Sequence, residues 1–269
     1  MAIKINGQKG EGKELTKKFH IRGYPTVVLL DNQGDEIDRL CGFQNTEKEA
    51  YFQRLKDYTN DKNTIADLLN RIDSDPANLN LQYQMAQKYT GRWELAKAIP
   101  YFEQVLELDP DDQFGYQEDA KGYISVQTLY DSGNDRPLIE LLEKSTNDER
   151  VAKGYEVLIR YYKSNKMKDD VLTAYEKVLV RFPENASFMN GFAWHIYENK
   201  ISSRYNEGLE MATRAVNLKP DGAHIWDTLA WMEFEMGMLD SAIVHMRKAV
   251  LLEPDNEYFI NNLAQFEGN

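Results

Sequence analysis

The sequence predicts a mostly α-helical chain, an array of stacked helix pairs preceded by a small α/β domain. Two observations predict the array. Five of the eight prolines recur at intervals of 34, 73, 37 and 34 residues, and small residues recur at fixed places between them. A third observation, a continuous β-branched run near the N-terminus, predicts the α/β part. The recurring prolines are Pro76, Pro110, Pro183, Pro220 and Pro254.

Residues 1–60 have the element order expected of the end of an α/β domain. The run Thr26–Leu30 is apolar and β-branched, which predicts a buried strand, and the turn-forming residues 31–35 follow it. The other elements predicted here are a short strand at Ile3–Ile5, a helix from Glu14 to Phe19, a second strand at Glu36–Cys41 and a closing helix from Glu47 to Tyr58.

Residues 61–269 are predicted to form the helical array. Small residues such as Ala86 and Ala230 are placed where two helices cross closely, and a proline ends the second helix of a pair because it lacks a backbone donor. An array must also end in helices that cover its last apolar faces. The predicted parts are a lead-in helix at 62–73, repeats at 79–112, 113–151, 152–185, 186–222 and 223–256, and a capping helix at 257–266.

The repeat from Trp226-x-x-Leu229-Ala230 through Gly237, Ala242 and Ala249 to Pro254 resembles the tetratricopeptide repeat (TPR). The resemblance implies an α-α superhelix of about five TPR-like repeats. Such an array offers a concave groove, lined by the first helix of each repeat, that binds a protein or peptide. By spacing, the expected groove residues are Tyr83, Gln87, Glu156, Arg160, Asn190, Trp194, Asp227 and Trp231. An alternative stays open, in which the two tryptophans pack between helices.

A second resemblance covers about residues 2–60. The run Leu15-x-x-Lys18-Phe19-His20-Ile21-Arg22-Gly23-Tyr24-Pro25-Thr26, followed by Asp31-x-x-Gly34 and Arg39-x-x-Gly42, resembles the second half of a thioredoxin-fold domain. The resemblance implies that Pro25 is cis and that Tyr24 and Pro25 face a substrate peptide. The family acts through Cys-x-x-Cys, which lies upstream of every matched residue. Because Cys41 is the one cysteine, we expect a truncated, redox-inactive thioredoxin-like module.

The resemblance also implies a gap in the sheet. In thioredoxins the strand matching Ile3–Ile5 does not pair with the strand matching Thr26–Leu30, because a strand from the missing half lies between them. Unpaired strand edges are costly. We therefore expect one of two arrangements. Either the chain is a fragment of a longer protein, or the strands pair again with a second copy, as a homodimer.

Composition limits the partners and the compartment. The 269-residue chain has a net charge of −12, which argues against nucleic acid and anionic membranes. Residues 1–60 carry a net charge of +1 and the remainder −13, which indicates either a solubilising outer surface or a partner with a basic segment.

No apolar stretch is long enough for a membrane helix and no signal-peptide core is present, so a cytoplasmic location is the default expectation. Export is expected instead if an upstream segment is missing.

Two functions from different classes are consistent with the sequence. The first is a protein–protein interaction scaffold that binds a polypeptide in the TPR groove. The second is a fragment of a thioredoxin-family thiol-disulfide oxidoreductase whose Cys-x-x-Cys half lies upstream. No catalytic residue, cofactor site or metal site is predicted within the chain itself, since the four histidines are scattered and no phosphate-binding loop appears. A Cys-x-x-Cys in the upstream reading frame would favour the second function.

Overall fold

The computed structural model describes residues 3–43 and 48–268, which are mostly helical and include one two-stranded sheet. This confirms the predicted mostly α fold with a small α/β module at its start. The chain divides into two compact units, residues 1–141 and residues 142–269. The division falls inside a helix and not at the predicted boundary near residue 60, so the predicted domain limits stay a prediction.

The first unit begins with the α/β module and continues into helices. The module contains α1 (Gly12–Lys18), β1 (Thr26–Leu30), β2 (Glu36–Cys41) and α2 (Lys48–Tyr58). The helices that follow are α3 (Ile65–Ser74), α4 (Leu79–Gly91), α5 (Leu95–Leu108) and α6 (Gln117–Ser132), and α7 (Arg136–Lys144) extends across the division between the units.

The sheet of the first unit contains two of the three predicted strands. β1 and β2 pair antiparallel, with Val27 opposite Leu40 and a register irregularity between Leu29 and Leu30. The predicted strand at Ile3–Ile5 is wrong, because residues 3–6 form no strand. A β-strand needs a neighbour for its backbone groups, and the described part of the chain supplies none there. Glu47, the predicted start of the closing helix, lies outside the described residues.

A buried charge network joins the α/β module to the first helix pair. The carboxylate of Asp38 on β2 is fully buried and lies 2.7 Å from both Lys88 Nζ and Arg92 Nη1. Arg92 Nη2 also lies 2.9 Å from Glu36 Oε1, and Arg39 donates two hydrogen bonds to Glu36. We call these five side chains the Asp38 network. It fixes β2 against α4, so the module and the first helix pair belong to one unit.

A second contact fixes the loop before β1. Arg22 donates a hydrogen bond of 2.6 Å to the carbonyl of Trp93, which lies just after α4. A Cβ atom added to Gly23 would stand 2.6 Å from the Trp93 ring, so only glycine allows the loop to approach this closely.

The second unit consists of helices in antiparallel pairs. They are α8 (Asp148–Ser164), α9 (Lys168–Arg181), α10 (Ala186–Glu198), α11 (Tyr205–Leu218), α12 (Ala223–Glu235), α13 (Leu239–Leu252) and α14 (Glu257–Glu267). A short 3-10 turn at Ser202–Arg204 precedes α11. It lies where the repeat period lengthens from 34 to 37 residues.

Small residues lie at the close helix crossings, as their recurrence in the sequence predicts. Ala86, Ala98, Ala193, Ala230 and Ala242 are all fully buried. Two glycines lie at crossings where even a Cβ atom would not fit. A Cβ atom on Gly191 of α10 would stand 2.4 Å from the Tyr175 hydroxyl of α9, and one on Gly208 of α11 would stand 2.8 Å from Met232 of α12. Within the described residues, no helix is both long enough and apolar enough to cross a bilayer.

Candidate functional site

An asparagine cap begins the first helix of three pairs and also the last helix, α14. The cap side chain accepts a hydrogen bond from a backbone N–H of the first turn, which replaces a partner that the helix itself cannot supply. The four caps of this kind are Asn78 before α4, Asn147 before α8, Asn185 before α10 and Asn256 before α14. Gly222 precedes α12 instead, and a Cβ there would press on Ile225 at 2.9 Å. These caps set where each first helix starts, and so which side chains share a face.

In the second unit, the fifth and ninth residues of successive first helices fall on one face. Residues four apart on a helix lie one above the other, and α10 packs beside α12. We call the resulting surface the aromatic face. It consists of Asn190, Trp194, Tyr197, Asp227, Trp231 and Phe234.

The rings of the aromatic face contact one another across the two helices. The Tyr197 ring of α10 stacks on the Trp231 ring of α12 with centroids 5.2 Å apart, and Trp194 lies 5.0 Å from Tyr197. Trp194, Tyr197 and Phe234 are half-buried, whereas Trp231 is only 8% exposed. The half-buried rings therefore supply the accessible apolar area of this face.

Trp231 is buried because the last helix covers it. The Phe266 ring of α14 meets Trp231 edge-on at 4.7 Å and stacks on Phe234 at 4.4 Å. Phe266 itself is fully buried. Trp231 thus belongs to a core cluster as well as to the predicted groove positions, and its role in a groove stays a prediction.

Asp227 is a buried carboxyl group on the same face. It is 5% exposed, and Asn262 Nδ2 of α14 donates a hydrogen bond to its Oδ1 at 3.2 Å. Burial raises the pKa of Asp227 to about 7, although the hydrogen bonds from Asn262 and Trp231 act in the opposite direction. The aromatic face therefore holds a carboxyl group that titrates near neutral pH.

One polar atom of the aromatic face, the acceptor Oδ1 of Asn190, is buried without a hydrogen-bond partner among the described residues. The donor Nε1 of Trp231 is also buried and faces the Asp227 carboxylate, and its interaction there lowers the pKa of Asp227. A buried polar atom without a partner costs about 1–3 kcal/mol, and such atoms are rare in native structures. A polypeptide backbone offers one donor and one acceptor per residue.

The other groove residues predicted in the two units are placed as follows. Glu156 and Arg160 lie one turn apart on α8 in the second unit, and both are exposed. In the first unit, Gln87 of α4 is exposed, while Tyr83 stacks on Tyr116 with centroids 3.9 Å apart. Burial, together with a hydrogen bond to Asp119, raises the pKa of the Tyr83 hydroxyl. Their role in binding stays a prediction.

Tyr24 and Pro25 lie in the α/β module of the first unit. The bond between them is cis. Tyr24 is 53% exposed, and its hydroxyl lies 3.1 Å from the Thr16 hydroxyl. Its ring packs on Gly7, where an added Cβ would stand 2.4 Å from the hydroxyl oxygen. That these two residues contact a substrate peptide stays a prediction.

Sequence reasoning missed the contribution of α14 to this site. Asn262 and Phe266 follow Asp227 and Trp231 by 35 residues each, so a search at the repeat period would have found them. Asn262 and Phe266 are four residues apart on α14, as Asp227 and Trp231 are on α12, and each contacts its counterpart.

Cys41 and the histidines belong to no candidate metal cluster in the part of the chain that is described. No group of three or more His, Cys, Asp or Glu side chains there could hold a metal ion. Cys41 is a half-buried free thiol on β2, and burial raises its pKa. A raised pKa lowers the thiolate fraction on which thiol exchange depends.

Comparison with known families identifies two of the helix pairs. The tetratricopeptide repeat model matches residues 82–112, in the first unit, and residues 223–256, in the second. A TPR repeat-containing protein of Pseudomonas aeruginosa is 31% identical over 80 residues, which make up 30% of this chain and 13% of that protein. The chain therefore carries tetratricopeptide repeats, and its match spans a small part of this relative's length.

Two solved structures share the fold. YrrB, described as a TPR protein with an unusual peptide-binding site, superposes with a TM-score of 0.52 at 12% identity, over 72% of this chain and 96% of its own. A MamA double mutant superposes with a TM-score of 0.51 at 15% identity, over 67% of this chain and 97% of its own. At such low identity the likeness shows the fold alone.

Proposed function

We propose that this chain is a protein-interaction scaffold that binds an extended polypeptide segment at the aromatic face of its second unit. Stacked TPR helix pairs serve in general to hold other proteins. The peptide-binding site named for YrrB is consistent with a peptide ligand for this fold.

The observation that carries the proposal is the combination of half-buried aromatic rings with a buried acceptor, Asn190 Oδ1, that has no partner among the described residues. Trp194 and Tyr197 offer apolar area at a small cost in side-chain entropy. Asn190 Oδ1 can accept a hydrogen bond from a peptide N–H.

The exposed groove residues extend this proposal. Glu156 and Arg160 on α8 are exposed and carry opposite charges, so they would select for polar or charged side chains next to an apolar anchor. Tyr83 and Gln87 are proposed as the corresponding positions of the first unit. The α/β module is proposed to act as a redox-inactive base for the first helix pair, which the Asp38 network supports.

The alternative function is that of a thioredoxin-family oxidoreductase fragment whose Cys-x-x-Cys half lies upstream. Its chemistry requires two cysteines in exchange, and the chain itself contributes only Cys41, so the redox step would belong to that upstream half. The cis bond at Pro25 and the exposed Tyr24 ring are compatible with a peptide-facing surface, but they supply no redox group. The α/β module is therefore proposed as a structural and docking element.

The test is selection of peptides from a random phage-displayed library on the full chain, followed by titration of the selected peptides. We expect Trp194→Ala to weaken binding tenfold or more, about 1.4 kcal/mol. Asn190→Leu, which keeps the volume and removes the acceptor, is expected to weaken it as well.

Val180→Ala is the matched control, because Val180 is an 85% exposed apolar residue on α9, the second helix of a pair in the same unit. This variant is expected to bind like the wild type. Equal affinities for all variants, or a loss in Val180→Ala alone, would place binding elsewhere. Circular dichroism of Trp194→Ala separates loss of binding from loss of helix.

A further inference from the structure

An apolar notch opens between α9 and α11 of the second unit, and we call it the α9–α11 notch. Its volume is about 360 Å³. Met189 and Phe192 of α10 are buried at its base, whereas Val180 of α9 is 85% exposed at its side. Leu179 of α9 and Met211 of α11 are half-buried beside them. A concave apolar surface of this kind is suited to hold an apolar group from another molecule.

Two arginines, at the start and near the end of α11, close the two ends of the notch. Arg204 Nη1 lies 2.6 Å from Glu176 Oε1 of α9, and Arg204 also pairs with Glu207. At the other end Arg214 Nη2 donates a hydrogen bond of 2.8 Å to the Pro183 carbonyl. Glu176 and Pro183 are seven residues apart, which corresponds to about 10 Å along a helix. The notch therefore fits a short apolar segment about two helical turns long.

The rim of the notch carries one more acidic group than basic groups. Glu176, Glu207 and Glu210 line it together with Arg204 and Arg214. Arg204 is shared by two of the carboxylates, and the 66% exposed side chain of Glu210 stands 4.0 Å from Arg214. Complementary charge guides association and sets its specificity. The notch therefore favours an apolar segment that carries a basic residue.

α13 presents such a segment. Val244 and Leu251 are 59% and 71% exposed, and Lys248 is exposed between them. We call these three residues the α13 ridge. Their spacings of four and three residues place them on one face of the helix, and they span about 10 Å, the length of the notch. Lys248 takes part in no ion pair within the described residues, whereas the neighbouring Arg247 pairs with Glu267.

Leu251 occupies a place on its helix that stays open within the array. It is the thirteenth residue of α13, as Val180 is of α9. Val180 is 85% exposed although two further helix pairs follow it in the chain. The exposure of Leu251 therefore follows from the direction of its side chain, away from the neighbouring helices.

We propose that copies of this chain associate head to tail, with the α13 ridge of one copy seated in the α9–α11 notch of the next. Val244 and Leu251 then cover the apolar surface around Val180, and Lys248 approaches Glu210. The ridge and the notch match in length, apolar character and charge, and both belong to the same chain. Because they are different surfaces, the contact is heterologous and extends into a ring or a filament. It uses none of the residues of the aromatic face and does not depend on peptide binding there.

The first test is the mass of the full chain by sedimentation equilibrium, from micromolar to millimolar concentration. We expect a mass near 31.2 kDa at the lowest concentration and a steady rise above it. Val180→Asp charges the notch and Leu251→Asp charges the ridge, and each variant is expected to stay at 31.2 kDa. Both sites are exposed, so circular dichroism should show unchanged helix. A wild type that stays monomeric would overturn the proposal and leave the notch to a different protein.

The second test shows that two different surfaces meet. The Leu251→Asp chain keeps an intact notch, and the Val180→Asp chain keeps an intact ridge. When the two variants are mixed in equal amounts, we expect a dimer with twice the mass of one chain and no larger species, because the remaining notch and ridge are both damaged. A mixture that stays monomeric, or either variant associating alone, would contradict the head-to-tail contact.

The third test concerns the charges and uses the affinity of that mixed pair. Lys248→Glu in the chain with the intact ridge, or Glu210→Lys in the chain with the intact notch, is expected to weaken the pair by about tenfold. The two changes together should restore most of the affinity. Lys166→Glu, at an exposed site in the turn before α9, makes the same charge change elsewhere and should have little effect. No recovery in the combined pair, or an equal loss with Lys166→Glu, would refute this docking.

Discussion

Asp227 is a buried carboxyl group that faces two donors, the side chains of Asn262 and Trp231. Burial raises its pKa to about 7, whereas an unfolded aspartate titrates near about 3.9. The folded state therefore keeps this proton at a pH where the unfolded state has lost it. The stability that this group contributes is present below about pH 4 and falls as the pH rises through about 7.

We expect Asp227→Asn to remove this pH dependence, because an amide keeps an acceptor for Asn262 but cannot ionise. The free energy of unfolding of the variant minus that of the wild type should rise between about pH 4 and 7, by up to about 1.4 kcal/mol per pH unit. Urea unfolding at several pH values measures it. Asp169→Asn, at an exposed site on α9, is the control and should show a much smaller trend. A difference that stays constant, or grows toward acid, would contradict the account.

Asp38 allows a test of how much stability is lost when one charge of a buried network is removed and its partners remain. Its carboxylate is fully buried between Lys88 and Arg92. Asp38→Asn removes the negative charge and leaves two cations without it, so we expect a loss of about 3–5 kcal/mol in the free energy of unfolding of the first unit. Glu149→Gln breaks an exposed pair with Lys153 and should change the free energy of unfolding far less, because solvent screens exposed pairs. Chemical denaturation of both variants tests the contrast, and equal losses would refute it.

At the scale of secondary structure elements, the repeat period carried most of the information. The recurring prolines and alanines predicted paired helices, and the alanines proved to be fully buried. The strand at Ile3–Ile5 failed because strand formation depends on a neighbour that sequence pattern does not reveal. The burial of Trp231 could not be predicted from its own repeat, since the covering ring belongs to Phe266 of the next element.

The helix caps give a prediction at this scale. Asn185 Oδ1 accepts a hydrogen bond of 3.0 Å from the backbone N–H of Phe188 in the first turn of α10. We expect Asn185→Ala to lower the free energy of unfolding by about 1 kcal/mol, and Asn185→Gly by only a few tenths. Thermal or urea unfolding of the two variants, compared with the wild type, measures the order. An alanine variant as stable as the glycine variant would mean that this hydrogen bond does not hold the helix start.

At the scale of the whole molecule, the contacts that unite the first unit join residues far apart in the sequence. Asp38 and Arg92 are separated by 54 residues, and no periodic pattern connects a strand of an α/β module with a TPR helix. The Asp38 network therefore could not be predicted from the sequence, whereas each element it joins could. In consequence the module and the first helices of the array belong to one unit. A substitution in the Asp38 network is therefore expected to affect the binding of a partner to either of them.

The final prediction concerns redox chemistry of the whole chain. Disulfide reduction by one chain needs a second thiol to resolve the mixed disulfide, and Cys41 is the one cysteine. Burial also raises the pKa of Cys41, which lowers its reactivity at neutral pH. In an insulin-reduction assay with dithiothreitol, we expect the wild type and Cys41→Ser to match the rate without protein. Turnover above that rate in the wild type that Cys41→Ser abolishes would refute the scaffold function, because it would give the α/β module a chemical step of its own.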